Sequence, residues 1–353
     1  RENLSDLEEA HATPLPERNT NQMSHKWSCV VAMVVAVSLL VFLIVWLVLQ
    51  SQSPNEEQEG ASTTVGMTSR YPPFQENLSI ATLRAIQEDP DSPESRANEW
   101  MWDDPYLREY TKERQLQRFG MVTLYFATQG DQWSHNDNWL DYEVSECLWF
   151  SKATDKAVCD EQESMSTLDL HSNNLNGTLP NDFWFTMPQH LNFASNFLQG
   201  KVPPFPSDSE QLEVLILSNN NFTGQLTGEA GLSIGNLRFV MIDSNSLYGN
   251  ANANIYPLIP KLEIFNFTSN NYVGPVSSNL QYLTNLRSFS GGHNQKEGPL
   301  ATELGLLTKL EVLEYSFNTM VSGTIPTEFG LLTNLVHLDL DGTHLTGSLP
   351  EQF

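Results

Sequence analysis

Basic residues are scarce. The 353-residue chain holds 18 Lys and Arg against 43 Asp and Glu, a formal charge of −25 at pH 7. Nucleic-acid binding draws its affinity from Lys and Arg on phosphates, so this balance argues against a nucleic-acid partner. The acids read instead as solvation of the surface. Cysteine is nearly absent too, with residues only at 29, 147 and 159. The two downstream thiols are too few for a structural zinc site. Catalytic signatures are missing: there is no H-E-x-x-H, no phosphate-binding glycine loop and no kinase motif. No enzyme activity and no cofactor is expected. Long apolar runs are missing as well, except for one.

That run is CVVAMVVAVSLLVFLIVWLVL, from Cys29 to Leu49, with no charge in it. As a helix it is about 30 Å long, the thickness of a hydrocarbon core. It is too long for the apolar region of a cleaved signal peptide, and no small-residue cleavage site closes it. An uncleaved transmembrane helix over 28–49 is expected, with Trp27 at one interface. Cys29 at the same edge reads as a small apolar residue rather than a palmitoylation site. Arg18 and Lys26 precede the run and NEEQEG comes after it, which favours an N-terminus inside. Residues 1–27 are then a cytosolic tail. Residues 50–77 are polar, rich in Pro, Ser, Thr and acids, and read as a stalk.

Apolar residues return at helical spacing from Leu78: Ile80, Leu83 and Ile86, then Leu107, Tyr110, Leu116, Phe119, Val122 and Phe126. These are expected to be packed core of a helical lead-in. Together with the adjoining segment that carries Trp133, Trp139 and the two downstream cysteines, the lead-in occupies 78–165.

From 166 the pattern changes. STLDLHSNNLNGTLP spaces its leucines by neither 2 nor 3.6. The same pattern begins again at Leu191, Leu215, Val240, Phe265, Phe289, Leu313 and Leu338, in steps of 23, 24, 25, 25, 24, 24 and 25 residues. The copy at Phe289 is degraded, with Gly291 and Lys296 where apolar residues belong. The copy at Leu313 has one extra residue before Gly323, and the last has Thr343 in place of Asn. A period in the twenties with L-x-L-x-x-N-x-L-x-G is a leucine-rich repeat. Leu168 and Leu170 point inward from a short strand while Asp169 and His171 point out. Asn173 turns in to bond backbone groups of neighbouring coils. Gly177 permits a bend. One coil cannot cover its own leucines, so eight coils stack into an α/β solenoid, a horseshoe over 166–353 with strands on its concave face. GLSIG at 231–235 matches a nucleophile elbow by letter. It sits between the third and fourth repeats and lacks that motif's strand, helix and partners. Asp339 and Asp341 beside Gly342 read as solvated strand residues, not as a calcium site.

GTLPNDF, GTIPTEF and GSLPEQF, with the EFGLLTNLVHL segment, resemble plant-type leucine-rich-repeat receptor ectodomains over roughly 117–353. Gly130 to Trp133 (G-D-x-W), Trp139, and Cys147 to Trp149 followed by Cys159 resemble that family's N-terminal cap. The resemblance implies a Cys147–Cys159 disulfide, although the insert between them is longer than in the plant pattern. It also implies that Trp133, Trp139 and Trp149 cover the first coil. A disulfide implies an oxidising compartment. Sequons at Asn77, Asn176, Asn221 and Asn266 agree with it, so these are candidate glycosylation sites. The cap and repeats are then extracellular, most simply at the plasma membrane. An N-terminal anchor, a stalk and a plant-type solenoid together resemble algal members of the family. The chain starts at Arg1 and stops one turn into a repeat, so further sequence is expected at both ends.

The resemblance implies a receptor-like protein that binds an extracellular protein, peptide or glycan, with a co-receptor as a possible partner. The other reading is an adhesion or wall-associated protein without signalling. A partner-binding patch is expected on the last three coils. There the outward residues change from small and polar, as at Asn192, Ala194 and Ser195, to His293, Glu314, Phe317, His337, Asp339 and Asp341. An exposed aromatic among charges has the makeup of a binding hot spot.

Overall fold

The computed structural model describes residues 74–152, 158–186, 188–205, 211–226, 234–250 and 256–351. The tail, the apolar run at 28–49 and most of the stalk lie outside the described residues. Among the described residues no helix is long and apolar enough to cross a membrane.

Three helices open the described chain: α1 (Ile80–Glu88), α2 (Pro93–Asp103) and α3 (Lys112–Ala127). Each starts on a hydroxyl cap. Ser79, Ser92 and Thr111 accept from the backbone N–H three residues on, and Pro93 adds a fixed φ at the first turn of α2. The helical spacing around Leu83 and Ile86 marks α1. Ile80, expected in the core, is instead 79% exposed, because it is the first residue of the helix and faces water. Helix α2 has no clear apolar period and was not expected. Its buried residues are Ala97 and Met101 alone.

Helix α3 is buried on every side from Gln115 to Tyr125. It packs on α2 and on the turn Phe183–Thr186 of the first coil. A Cβ at Gly120 would stand 3.2 Å from Thr186 Cγ2, so glycine allows the close approach. Burial on all sides forces its polar groups to find partners. Arg118 is fully buried. Its Nε donates to Asp104 Oδ2 at 2.9 Å and its Nη1 to Glu146 Oε2 at 2.9 Å. The guanidinium also lies 5.0 Å from the ring centres of Trp100 and Trp149. Gln117 donates to Glu146 Oε1 and accepts from Met165 N, which ties α3 to the entry of the first coil. Arg114 pairs with Glu146 and Glu163.

Cys147 and Cys159 are disulfide-bonded, as the cap resemblance implied. Trp133, Trp139 and Trp149 pack on one another and on Tyr125, and Trp133 and Trp139 donate their indole N–H to Thr128 O and Phe150 O. Several cap segments bond coil one, among them the end of α3, the loop at 132–136 and Lys152. Asn176 N donates to Thr128 O, and Asn173 exchanges two hydrogen bonds with the His135 backbone at 2.8 and 2.9 Å. Asn173 therefore bonds the cap on this side, because no coil precedes it.

The repeats form eight coils with two parallel eight-stranded sheets. The first sheet takes one three-residue strand per coil: Thr167–Asp169, His190–Asn192, Val214–Ile216, Phe239–Met241, Ile264–Asn266, Ser288–Ser290, Val312–Glu314 and His337–Asp339. The second runs from Asn176–Thr178 to His344–Thr346. The middle residue of each first-sheet strand is in the core through coil seven, while most flanking residues keep solvent contact, Thr167 and Ser290 being buried.

A ladder of asparagines closes the stack. Asn196 Nδ2 donates to Leu170 O of the coil before and to Phe193 O of its own, while its Oδ1 accepts from Asn173 N and Leu175 N. Asn220, Asn245, Asn270, Asn294 and Asn318 repeat this arrangement. Each saves buried backbone groups from going unpaired, at a cost otherwise of about 1–3 kcal/mol per group. Thr343 reaches only Leu340 O.

The copy that reads as degraded is intact. A Cβ on Gly291 would lie 2.2 Å from the Phe267 ring, so that ring occupies the space a leucine would take. Lys296 stands at a core position and is 2% exposed. In coil seven the extra residue is absorbed by a turn in which Val321 N donates to Asn318 O. Val321 takes the core position and Met320 is left outside.

Candidate functional site

The outward residues of the first sheet form rows, because the strands pair in parallel and in register. One row reads Thr167, His190, Val214, Phe239, Ile264, Ser288, Val312, His337. The next reads Asp169, Asn192, Ile216, Met241, Asn266, Ser290, Glu314, Asp339. Coils three to five therefore place Val214, Ile216, Phe239, Met241 and Ile264 side by side, all half-buried. The sequence pattern alone did not single out this apolar band. Its signal was available, since the residues before and after Leu215 and Val240 are apolar where coil two has His190 and Asn192.

A further row lies just past the strands. Ser172, Ser195, Asn219, Ser244, Ser269, His293, Phe317 and Gly342 all have positive φ, between 49° and 64°. Small polar residues and glycine tolerate this left-handed conformation, whereas a bulky residue there is strained. Coil six carries His293, a residue type that also enters this region readily, and coil seven carries the bulky Phe317. The rings of His293 and Phe317 stack with centroids 4.4 Å apart and planes 18° from parallel. Gly342 of coil eight comes close to the Phe317 ring, which a Cβ there would meet at 2.8 Å. Phe317 remains 46% exposed.

The expected patch residues come together in part. His293 and Phe317 are in contact. Glu314 and Asp339 are register partners, and Phe317 N donates to Asp341 O at 2.7 Å. His337 is exposed but in the other row, level with Val312. Neither row, nor the positive-φ row, contains a Lys or Arg. The nearby Arg238 and Arg287 are paired with Glu263 and Glu311. Among the described residues no Lys or Arg is bridged to Glu314, Asp339 or Asp341. The face thus runs from an apolar band to an aromatic stack fringed by carboxylates.

The sequons differ in setting. Asn77, Asn176 and Asn221 are exposed. Asn266 is half-buried on the first-sheet face, donating to Asp243 Oδ1 and accepting from Thr268 N. Of GLSIG, only Ile234 and Gly235 lie among the described residues, and Ile234 is core.

The Leucine Rich Repeat family pattern matches residues 164–185, 211–231 and 334–353. Receptor-like protein 39 of Arabidopsis thaliana is 30% identical over 183 residues, which cover 50% of this chain and 20% of that protein. Receptor-like protein 35 of the same plant is 29% identical over 226 residues, covering 54% and 23%. Among solved structures, the plant peptide hormone receptor RGFR1 in complex with RGF2 matches with a TM-score of 0.50 at 29% identity, over 53% of this chain and 30% of that one. The Arabidopsis receptor kinase HAESA, in complex with the peptide hormone IDA and the co-receptor SERK1, matches with a TM-score of 0.56 at 25% identity, over 69% and 39%. The chain spans about a fifth of the length of these curated relatives. With its stacked coils, asparagine ladder and disulfide-bonded cap, it has a leucine-rich-repeat fold similar to that of plant receptor-like proteins.

Proposed function

We propose that this protein is a receptor-like recognition protein that binds an extracellular peptide or protein on the face of its first sheet. The stacked pair His293 and Phe317 carries this reading. Phe317, a bulky residue held in a left-handed conformation, costs stability, and such strain gathers where a surface has a binding task. The likeness to receptors solved with peptide hormones and a co-receptor supports a peptide ligand and a co-receptor partner. In the same reading the run at 28–49 anchors the protein by one span, with residues 1–27 cytosolic and the cap and coils outside the plasma membrane. Glycans at exposed sequons and the disulfide fit that compartment.

The test compares the wild-type chain with the Phe317→Ala, Asp339→Ala double variant for capture of secreted peptides and proteins. Weaker capture at an unchanged melting temperature is expected. Equal capture would remove this patch from consideration.

A further inference from the structure

Resting on that reading, we infer that the ligand is an extended peptide with apolar residues at one end of its contact and an arginine or lysine at the other. Three features of the first-sheet face point to this chemistry. The band of Val214, Ile216, Phe239, Met241 and Ile264 offers contiguous apolar surface still open to solvent. Burying such surface is favourable and non-directional, and it suits aliphatic or aromatic side chains. Three coils on, the exposed Phe317 ring lies between His293, stacked parallel on it, and the backbone of Gly342. Glu314, Asp339 and Asp341 come from the same two coils as Phe317 and Gly342, and no Lys or Arg among the described residues is bridged to them. A cation beside Phe317 thus has carboxylates within reach, and an anionic ligand group meets repulsion.

The geometry sets a spacing. Neighbouring strands are about 4.8 Å apart, so Met241 in coil four and Phe317 in coil seven are separated by roughly 14 Å along the sheet. An extended chain covers about 3.3 Å per residue, so its cation falls about four residues from its apolar anchor. The intervening Asn266 and Ser290, with Ser288 in the neighbouring row, are small or polar and leave room for a backbone to pass. The glutamates paired with Arg238 and Arg287 flank the same sheet, so those two cations are already neutralised.

The experiment is selection of a displayed library of random twelve-residue peptides against the full chain, counter-selected on the Phe317→Asn variant. Expected winners carry Arg or Lys about four residues from one or more large apolar residues. Their binding should weaken at least tenfold in the Asp339→Asn, Asp341→Asn double variant, in Met241→Lys, and on raising salt from 50 to 500 mM. Winners that depend on Phe317 but are neutral or acidic would overturn the cation assignment and leave the recognition face standing. If no winner depends on Phe317, both fall. An oligosaccharide array that binds the wild-type chain and not Phe317→Asn, with no peptide selected, would give the stack to a sugar ring and overturn the peptide.

Discussion

The ammonium of Lys296 is buried in coil six and donates to Asn250 Oδ1 at 2.9 Å, and to the carbonyls of Val273 and Pro275 at 2.9 and 3.0 Å. Other coils place Leu, Phe, Tyr or Val at this position. Burial pushes its pKa down to about 8, with Glu297 opposing. Below pH 8 the amine is charged in both the native and unfolded chains, and the native state bears the desolvation cost. Between pH 8 and about 10.5 the unfolded chain still holds the proton that the native chain has released, so stability rises with pH in that window. Above about pH 10 the buried phenols of Tyr256 and Tyr272, whose pKa values are raised by burial, work in the opposite sense. Lys296→Leu is therefore expected to be more stable than wild type by about 1–3 kcal/mol at pH 7. Urea titrations at pH 7 and 9.5 should show the difference shrink. A gap of constant size would mean that the three acceptors keep the amine charged throughout.

The cap is held by a covalent and an ionic tie that meet at residues 146 and 147. Cys147 is bonded to Cys159, while Glu146 takes Arg118 and Gln117 from α3. Closing a loop of this size stabilises by about 3 kcal/mol by the chain-entropy argument. Arg118→Ala leaves Asp104 buried without its cation and Glu146 with Arg114 alone, at a cost of about 3–5 kcal/mol. Cys147→Ser and Arg118→Ala should each lower the melting temperature. Non-reducing peptide mapping of the wild type should find 147 linked to 159 and Cys29 free. If both variants melt with the wild type, the cap is not part of the cooperative unit.

Glycan occupancy separates the sequons by their surroundings. Asn77, Asn176 and Asn221 are exposed and should carry sugar. A glycan on Asn266 forfeits its bond to Asp243 and covers the proposed recognition face, so this site should be empty or nearly so. Asn3 should be bare if the N-terminus is cytosolic. Glycopeptide mass spectrometry gives the answer. Full occupancy at Asn266 would take the face around coils four to six away from ligand binding, and sugar on Asn3 with none downstream would reverse the orientation.

The coils were legible because each position of the repeat answers one local need. Leu168 and Leu170 fill the core, Asn196 and its successors pair the backbone, and Gly177 at φ 144° comes so near Ala127 O that no Cβ fits. Compensation between coils was not legible. Gly291 reads as a lost core residue until the Phe267 ring, one coil earlier, is seen in its place. Lys296 reads as a defect until its three acceptors from coils four and five are known. Helix α2 escaped for a different reason. Only two of its residues are core, and its periodicity is correspondingly weak. The proposed recognition patch was half visible. His293 and Phe317 stood out as odd residues, but their shared left-handed backbone and their stacking arise only when coils six and seven lie in register.

That shared backbone gives the sharpest separation of structural from functional roles. Phe317 has φ 56° at a position where coil three has Asn219 and coils one, two, four and five have serine. Asparagine is among the residues that accept this conformation most readily, so Phe317→Asn relieves local strain of order 1 kcal/mol. Against that stands the loss of the stack on His293 and of the contact with Gly342. Because the ring is nearly half exposed, the lost burial is modest, and the stack is worth about 0.5–1.5 kcal/mol. The two effects are of similar size and opposite sign. Phe317→Asn should thus melt within a few degrees of wild type while losing most of its ligand binding. His293→Ser, which removes only the partner ring, should keep the fold and lose part of the binding. A fall in melting temperature large enough to unfold coil seven, with binding lost only in proportion to the unfolded fraction, would make the stack a packing device and sink its assignment to recognition.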